Sequence, residues 1–224
     1  MNLKNGLLLF ILFLDCVFFK VESKCVKGCD VALASYYVVR PVQFRNVTNF
    51  MQSKIVLTNS SSDVIMSYNR GKVFDKAGLV SYTRINVPFP CECIGGEFLG
   101  HVFEYTAKEG DDYDLIANTY YASLTTVELL KKFNSYDPKN IPIKAKINVT
   151  VNCSCGDIQI SKDYGLFVTY PLRSDDTLQK IANQSNLDEG LIQKYNSGAN
   201  FSKGSGIVFI PGRGMYFSFS SITF

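Results

Sequence analysis

The sequence contains no Trp and a single His, His101, among its 224 residues. Without Trp there is no indole platform on which a flat ligand ring could stack. His101 stands alone, which leaves no Ser/His/Asp or Cys/His arrangement for nucleophilic catalysis. Charge of one sign is also scarce: 23 Lys and Arg oppose 20 Asp and Glu, a net charge of +3 with no Lys/Arg run longer than two. That balance excludes a protein that tracks nucleic-acid phosphates. Neither a glycine-rich phosphate loop nor an HRD catalytic sequence occurs, so kinase chemistry cannot be assigned to these residues. The stretch 213–224 holds no apolar run of about 18 residues, the length a membrane-spanning helix requires.

What is present begins at the N-terminus. Leu7 to Leu14 is an apolar run behind Lys4, broken by Asp15, with Val21-Glu22-Ser23 offering small residues at a cleavage site. The pattern predicts a secretory signal peptide over residues 1–23. Its removal takes Lys4 and Lys20 but also Asp15 and Glu22, so the charge is unchanged. Six cysteines then remain: Cys25, Cys29, Cys91, Cys93, Cys153 and Cys155. An even count in an oxidising compartment predicts three disulfides. The Cys-x-Cys spacing is too tight for a structural zinc site, which prefers about two to four residues between paired ligands. In an extended segment the two cysteines of such a pair point to opposite sides, so each pair reaches two different partners. The sequons at Asn46, Asn59, Asn148, Asn152, Asn183 and Asn200 fit a glycosylated extracellular protein.

Comparing the chain with itself reveals repeats. Tyr105 to Asn118 aligns without a gap on Tyr170 to Asn183, each copy running from Tyr through Asp111 or Asp176 to Ile-Ala-Asn. Leu129-Leu130-Lys131-Lys132-Phe133-Asn134 echoes Leu191-Ile192-Gln193-Lys194-Tyr195-Asn196, and both copies close on an apolar run, 147–151 and 207–211. A weaker first copy has Tyr37-Val38-Val39, Tyr68-Asn69 and Ile85-Asn86-Val87-Pro88. Each unit reads strand, helix, helix, strand. Asp111 and Asp176 are expected to N-cap the first helix of their units, and Thr125 or Thr126 to start a second helix. The Cys-x-Cys pairs follow the closing strands, which would place the staples in linkers between units. A unit of about 45 residues is near the lower limit for a stable core, so disulfides and packing between units are required.

A short βααβ unit with this turn Asp and a Tyr/Phe-Asn ending the second helix resembles the LysM module. Three such units separated by Cys-x-Cys, with FVTYPLRSDDTL at 167–178 and INVPFPCEC at 85–93, resemble the ectodomains of plant LysM receptor-like kinases of the chitin elicitor and Nod-factor receptor type. The resemblance implies an α+β fold of three tandem βααβ modules packed together. The modules would cover 24–93, 94–155 and 156–212, followed by a divergent tail at 213–224. It implies the disulfides Cys25–Cys93, Cys29–Cys155 and Cys91–Cys153, and no cofactor or metal. It also implies a function: extracellular binding of N-acetylglucosamine oligomers, either chitin fragments or lipo-chitooligosaccharide Nod factors, in plant symbiosis or immunity. A second LysM receptor would serve as co-receptor at the outer face of the plasma membrane. In that family a membrane helix and a serine/threonine kinase follow the third module. Here the alternative is a secreted, truncated form acting as a decoy or co-receptor partner.

By the same resemblance, the groove would lie in the second module. Lys108, Glu109, Gly110, Asp111 and Asp114 would face Pro138 and Ile141, with Val127 beneath. Gly110 permits close backbone approach. Pro138 and Ile141 could meet an acetyl methyl, while Glu109 and Asp114 accept hydrogen bonds from sugar N–H and O–H groups. For Asp111 the position directly before the helix favours a cap over ligand contact, and Lys108 and Lys139 are read as solvated rim. Glycoside hydrolysis would need two carboxylates flanking one bond, whereas Asp111, Asp112 and Asp114 lie within one turn. Arg40, Arg45 and Lys54 of the first module are expected to tune ligand choice.

Overall fold

The computed structural model describes residues 25, 28–39, 47, 51, 61–69 and 81–212. The signal peptide, the tail, Asn46, Asn59, Arg40, Arg45 and Lys54 lie outside the described residues. Six strands form one sheet: β1 (Cys29–Val38), β2 (Thr83–Ile94), β3 (Phe98–Thr106), β4 (Lys146–Asn152), β5 (Leu166–Pro171) and β6 (Ile207–Gly212), in the order β4-β3-β2-β1-β5-β6. Each consecutive pair, β1–β2, β3–β4 and β5–β6, is antiparallel, with its unit's helices inserted between the two strands. The helices with bounds among the described residues are α1 (Ser61–Ser67), α2 (Leu115–Tyr120), α3 (Val127–Phe133), α4 (Leu178–Ser185) and α5 (Glu189–Tyr195), with a 3-10 turn at Phe201–Lys203. The units join edge to edge: β2 turns into β3 with Ile94 opposite Phe98, and β1 pairs in parallel with β5 through Leu33–Val168 and Ala34–Thr169.

One detail departs from the sequence reading. Cys91 and Cys93 lie inside β2, which runs on to Ile94, so no linker separates the first two units. Gly95 and Gly96, both at positive φ, make the tight turn into β3. Three disulfides cross the sheet: Cys25–Cys93, Cys29–Cys155 and Cys91–Cys153. Both Cys-x-Cys pairs reach two different partners, as extended geometry requires.

Each unit is locked by the same device. Asn69, Asn134 and Asn196 follow the last turns of α1, α3 and α5. Each donates its side-chain amide to the carbonyl four residues back, Ile65, Leu130 or Ile192. The same amide also reaches a closing-strand carbonyl, Asn86, Asn148 or Phe209, and its oxygen accepts that residue's N–H. One side chain thereby ties helix to strand with three hydrogen bonds, and the first, weakly repeated unit keeps it. Helix starts are capped locally: Thr126 accepts from Leu129 N–H, Thr177 from Lys180 N–H and Asp188 from Leu191 N–H.

The apolar interior falls into two parts. A large core fuses the first two units through Ile85, Phe89, Phe103, Tyr113, Tyr121, Leu130 and Ile147. A smaller one in the third unit gathers Tyr170, Leu172, Ile181, Ile192, Phe201, Val208 and Ile210. Arg84 of β2 bridges toward the third unit. Its guanidinium lies 3.8 Å from the Tyr170 ring centroid and donates to Asp176 and to the Pro171 carbonyl, both at 2.9 Å.

Candidate functional site

The loop that opens the second unit is organised around Asp111. Asp111 is 5% exposed, so it neither caps α2 nor faces solvent. Its Oδ2 accepts from the Tyr105 hydroxyl at 2.6 Å and Lys108 N–H at 2.7 Å, and its Oδ1 from the Tyr120 hydroxyl at 3.0 Å. The third unit repeats this: Asp176 accepts from the Tyr170 hydroxyl, Arg173 N–H and Arg84. The Tyr-x5-Asp repeat is therefore a buried turn staple. The caps sit one residue later, at Asp112, whose Oδ1 accepts Leu115 N–H at 2.8 Å, and at Thr177. Burial, then the bond to Asp111, pushes the Tyr105 hydroxyl far above its ordinary range. Lys108, Glu109 and Gly110 ride on this staple exposed to solvent, with Gly110 at φ +81° and open space where a Cβ would stand.

Asp112 also connects this loop to its neighbour. Its Oδ2 pairs with Lys139 Nζ at 2.9 Å, and Tyr113 N–H donates to the Pro138 carbonyl at 2.9 Å. The N–H of Leu115 first, and Lys139 second, hold the Asp112 carboxyl below the usual carboxylate range. Within the facing loop Lys139 N–H donates to Asp137 Oδ1, which makes a tight turn. The loops at 108–114 and 136–141 thus lie side by side, tied by one backbone bond and one ion pair. Asp114 is exposed and accepts from Asn118 Nδ2 at 3.0 Å. α2 leads away from this loop with π-helical winding: Tyr121 N–H donates to Ile116 O, five residues back. The extra residue per turn brings Tyr120 round to Asp111.

Two expected contacts fall elsewhere. Ile141 is 7% exposed and packs into the large core, because it begins the path into β4; Ile143, two residues on, is the exposed one at 60%. Val127, at the first turn of α3, lines a cleft of about 740 Å³ shared with Leu172, Arg173, Ser205 and Ile207 of the third unit. None of Lys108, Glu109, Gly110, Asp114 or Pro138 lines that cleft. The sequence reading missed Asp112 as the loop connector, since a carboxylate between two others carries no distinguishing signal.

A further cleft of about 690 Å³ lies between the first and third units, lined among others by Tyr37, Tyr82, Arg84, Arg173, Lys180 and Gln184. Among the described residues no helix is long and apolar enough to cross a membrane.

Comparison with known proteins gives this arrangement its context. Residues 98–151 match the LYK3/4/5 LysM2 domain and residues 168–211 the LysM domain. The chain is 85% identical over 213 residues to the LysM domain receptor-like kinase 3 of Medicago truncatula. It is 46% identical over 214 residues to chitin elicitor receptor kinase 1 of Arabidopsis thaliana. Each alignment takes in 95% of this chain and 34% of the relative, so the chain spans about a third of the length of these curated relatives. The crystal structure of the LYK3 ectodomain superposes with a TM-score of 0.81 at 84% identity, covering 84% of this chain and 92% of that one. The ectodomain of a second receptor-like kinase gives 0.79 at 44% identity, covering 84% and 94%. With both ectodomains matched over nearly their whole length by this stapled six-stranded sheet, the chain belongs to the ectodomains of the plant LysM receptor-like kinases.

Proposed function

We propose that this ectodomain senses N-acetylglucosamine oligomers, chitin fragments or lipo-chitooligosaccharides, in the groove between the loops at 108–114 and 136–141. The observation that carries the reading is the fixed pairing of the loops through Tyr113–Pro138 and Asp112–Lys139, with Glu109, Gly110 and Asp114 left exposed. Such a ligand is neutral and offers hydroxyls, acetamide N–H and C=O groups and a methyl. Carboxylates at Glu109 and Asp114 accept from it, the bare backbone at Gly110 lets it approach, and Pro138 supplies an apolar edge. The name of the Arabidopsis relative, a chitin elicitor receptor, supports this ligand class. The division into modules at 24–93, 94–155 and 156–212 belongs to the same proposal, as do display on the outer face of the plasma membrane and pairing with a second LysM receptor. Glycans are proposed at the exposed sequons Asn148, Asn183 and Asn200.

Calorimetry on the folded, deglycosylated ectodomain tests the reading, with chitin octamer and a lipo-chitooligosaccharide as ligands. Glu109→Ala and Asp114→Ala are each expected to weaken binding about tenfold, the loss of one charge-assisted hydrogen bond. The tighter ligand assigns the receptor to immunity or symbiosis. Folded protein that binds neither ligand overturns the proposal.

A further inference from the structure

Tyr82 stands at the turn into β2. It is 76% exposed, and it sits at φ +63°, a left-handed conformation that costs a bulky residue energy and a glycine none. The conformation is held by its N–H, which donates to the Val38 carbonyl at 2.6 Å where β2 begins beside the end of β1. An exposed side chain gains no burial there that would offset the strain. A strained, exposed tyrosine where glycine would sit freely makes Tyr82 a candidate for a role beyond packing.

Its surroundings indicate the use. Tyr82 lines the cleft of about 690 Å³ between the first and third units, within the usual range for small-molecule sites of about 300–1,000 Å³. The walls carry Tyr37 and Tyr170, with Asn86, Gln184 and Ser185 as neutral hydrogen-bonding groups. The charges inside are largely spoken for. Arg84 pairs with Asp176 at 2.9 Å and Lys180 with Asp175 at 2.6 Å, while the Arg173 guanidinium stands 3.7 Å from the Tyr37 ring centroid with its buried Nε lacking a hydrogen-bond partner. An aromatic face, amide and hydroxyl partners and charges of which two of three cations are paired suit a neutral ring with one apolar C–H face and equatorial hydroxyls. We infer that this cleft is a second oligosaccharide subsite, with Tyr82 as the aromatic platform that the absence of Trp leaves to tyrosine. The choice of N-acetylglucosamine oligomers as probe rests on the proposed function; the site itself does not.

The test uses the full ectodomain and an N-acetylglucosamine octamer in calorimetry, with stoichiometry and affinity as readouts. Tyr82→Ala is expected to weaken one binding event about fivefold to tenfold, and Tyr82→Phe to leave it unchanged, because stacking needs the ring and not the hydroxyl. Tyr82→Gly separates structure from function: it relieves the left-handed strain, so the melting temperature holds or rises while affinity falls as in Tyr82→Ala. In the Glu109→Ala/Asp114→Ala double variant the Tyr82-dependent event persists, which distinguishes loss of this cleft from loss of the groove. Unchanged binding in Tyr82→Ala while the groove variants lose affinity overturns the inference and leaves the groove standing. Binding that vanishes from both sets of variants only alongside a lowered melting temperature overturns it as well.

Discussion

Asp111 gathers three donors on two oxygens inside the second unit: the Tyr105 hydroxyl, Lys108 N–H and the Tyr120 hydroxyl. Replacing it with Asn turns one acceptor into a donor facing donors. Asp111→Asn is therefore expected to cost about 2 kcal/mol in urea denaturation and to weaken oligosaccharide binding by releasing Lys108 and Glu109. An unchanged midpoint would show that the staple is not what shapes the loop. Asp112 gives a pH signature. Its carboxyl is held low in the folded state by Leu115 N–H and then Lys139, so the stability it supplies is present above the unfolded carboxyl's ordinary value near ~3.9 and lost as pH falls through the folded value. Melting curves of the native chain and Asp112→Asn should differ at pH ~6 and converge as the pH falls below the folded Asp112 value. Curves that stay parallel would remove Asp112 from the acid response.

At the scale of the element, helix and strand are joined by a single asparagine in each unit. Asn196 is 8% exposed, whereas Asn134 is half-buried. Removing either leaves a strand N–H and carbonyl, and a helix-end carbonyl, without their partner. The cost scales with how little water can replace it. Asn196→Ala should therefore lose about 2–3 kcal/mol and Asn134→Ala less, with amide exchange speeding at Phe209 and at Asn148 respectively. Equal losses would mean that strand pairing, not the clamp, holds these segments. The cap residues Thr126, Thr177 and Asp188 fix where the helices start, and the π-wound α2 ends by delivering Tyr120 to Asp111.

At the scale of the molecule, the third unit has its own small core, and among the described residues it meets the other two through the β1–β5 pairing, the Arg84 cluster, Arg173 over the Tyr37 ring and the Thr169 hydroxyl on the Asn152 carbonyl. Arg84 is only 15% exposed, and burial lowers its pKa while the Tyr170 and Asp176 contacts oppose that shift. Arg84→Ala leaves the buried Asp176 without its cation, an expected loss of about 3 kcal/mol. Hydrogen exchange should show β5, β6 and α4 opening before β3 and β4. Uniform protection across all three units would show that the cores act as one.

The residue pattern by itself carried the repeated strand–helix units, an even cysteine set, the Tyr/Phe-Asn near each helix end and a start of α3 at Thr125 or Thr126, because periodicity and capping are local properties read within a few residues. It also singled out Asp111 and Asp176 while misplacing their role, since a cap and a buried staple use the same residue type at neighbouring positions. Only the tertiary structure decided that distinction, because burial of Asp111 depends on Tyr105 and Tyr120 closing over it from opposite ends of the loop. It likewise decided that Ile141 turns into the core, that Val127 faces the third unit, and that β2 runs unbroken through Cys91 and Cys93. The cleft around Tyr82 is the extreme case. Its walls come from segments about 100 residues apart in the chain, brought together by the parallel pairing of β1 with β5, and non-local pairing leaves no periodic trace in sequence.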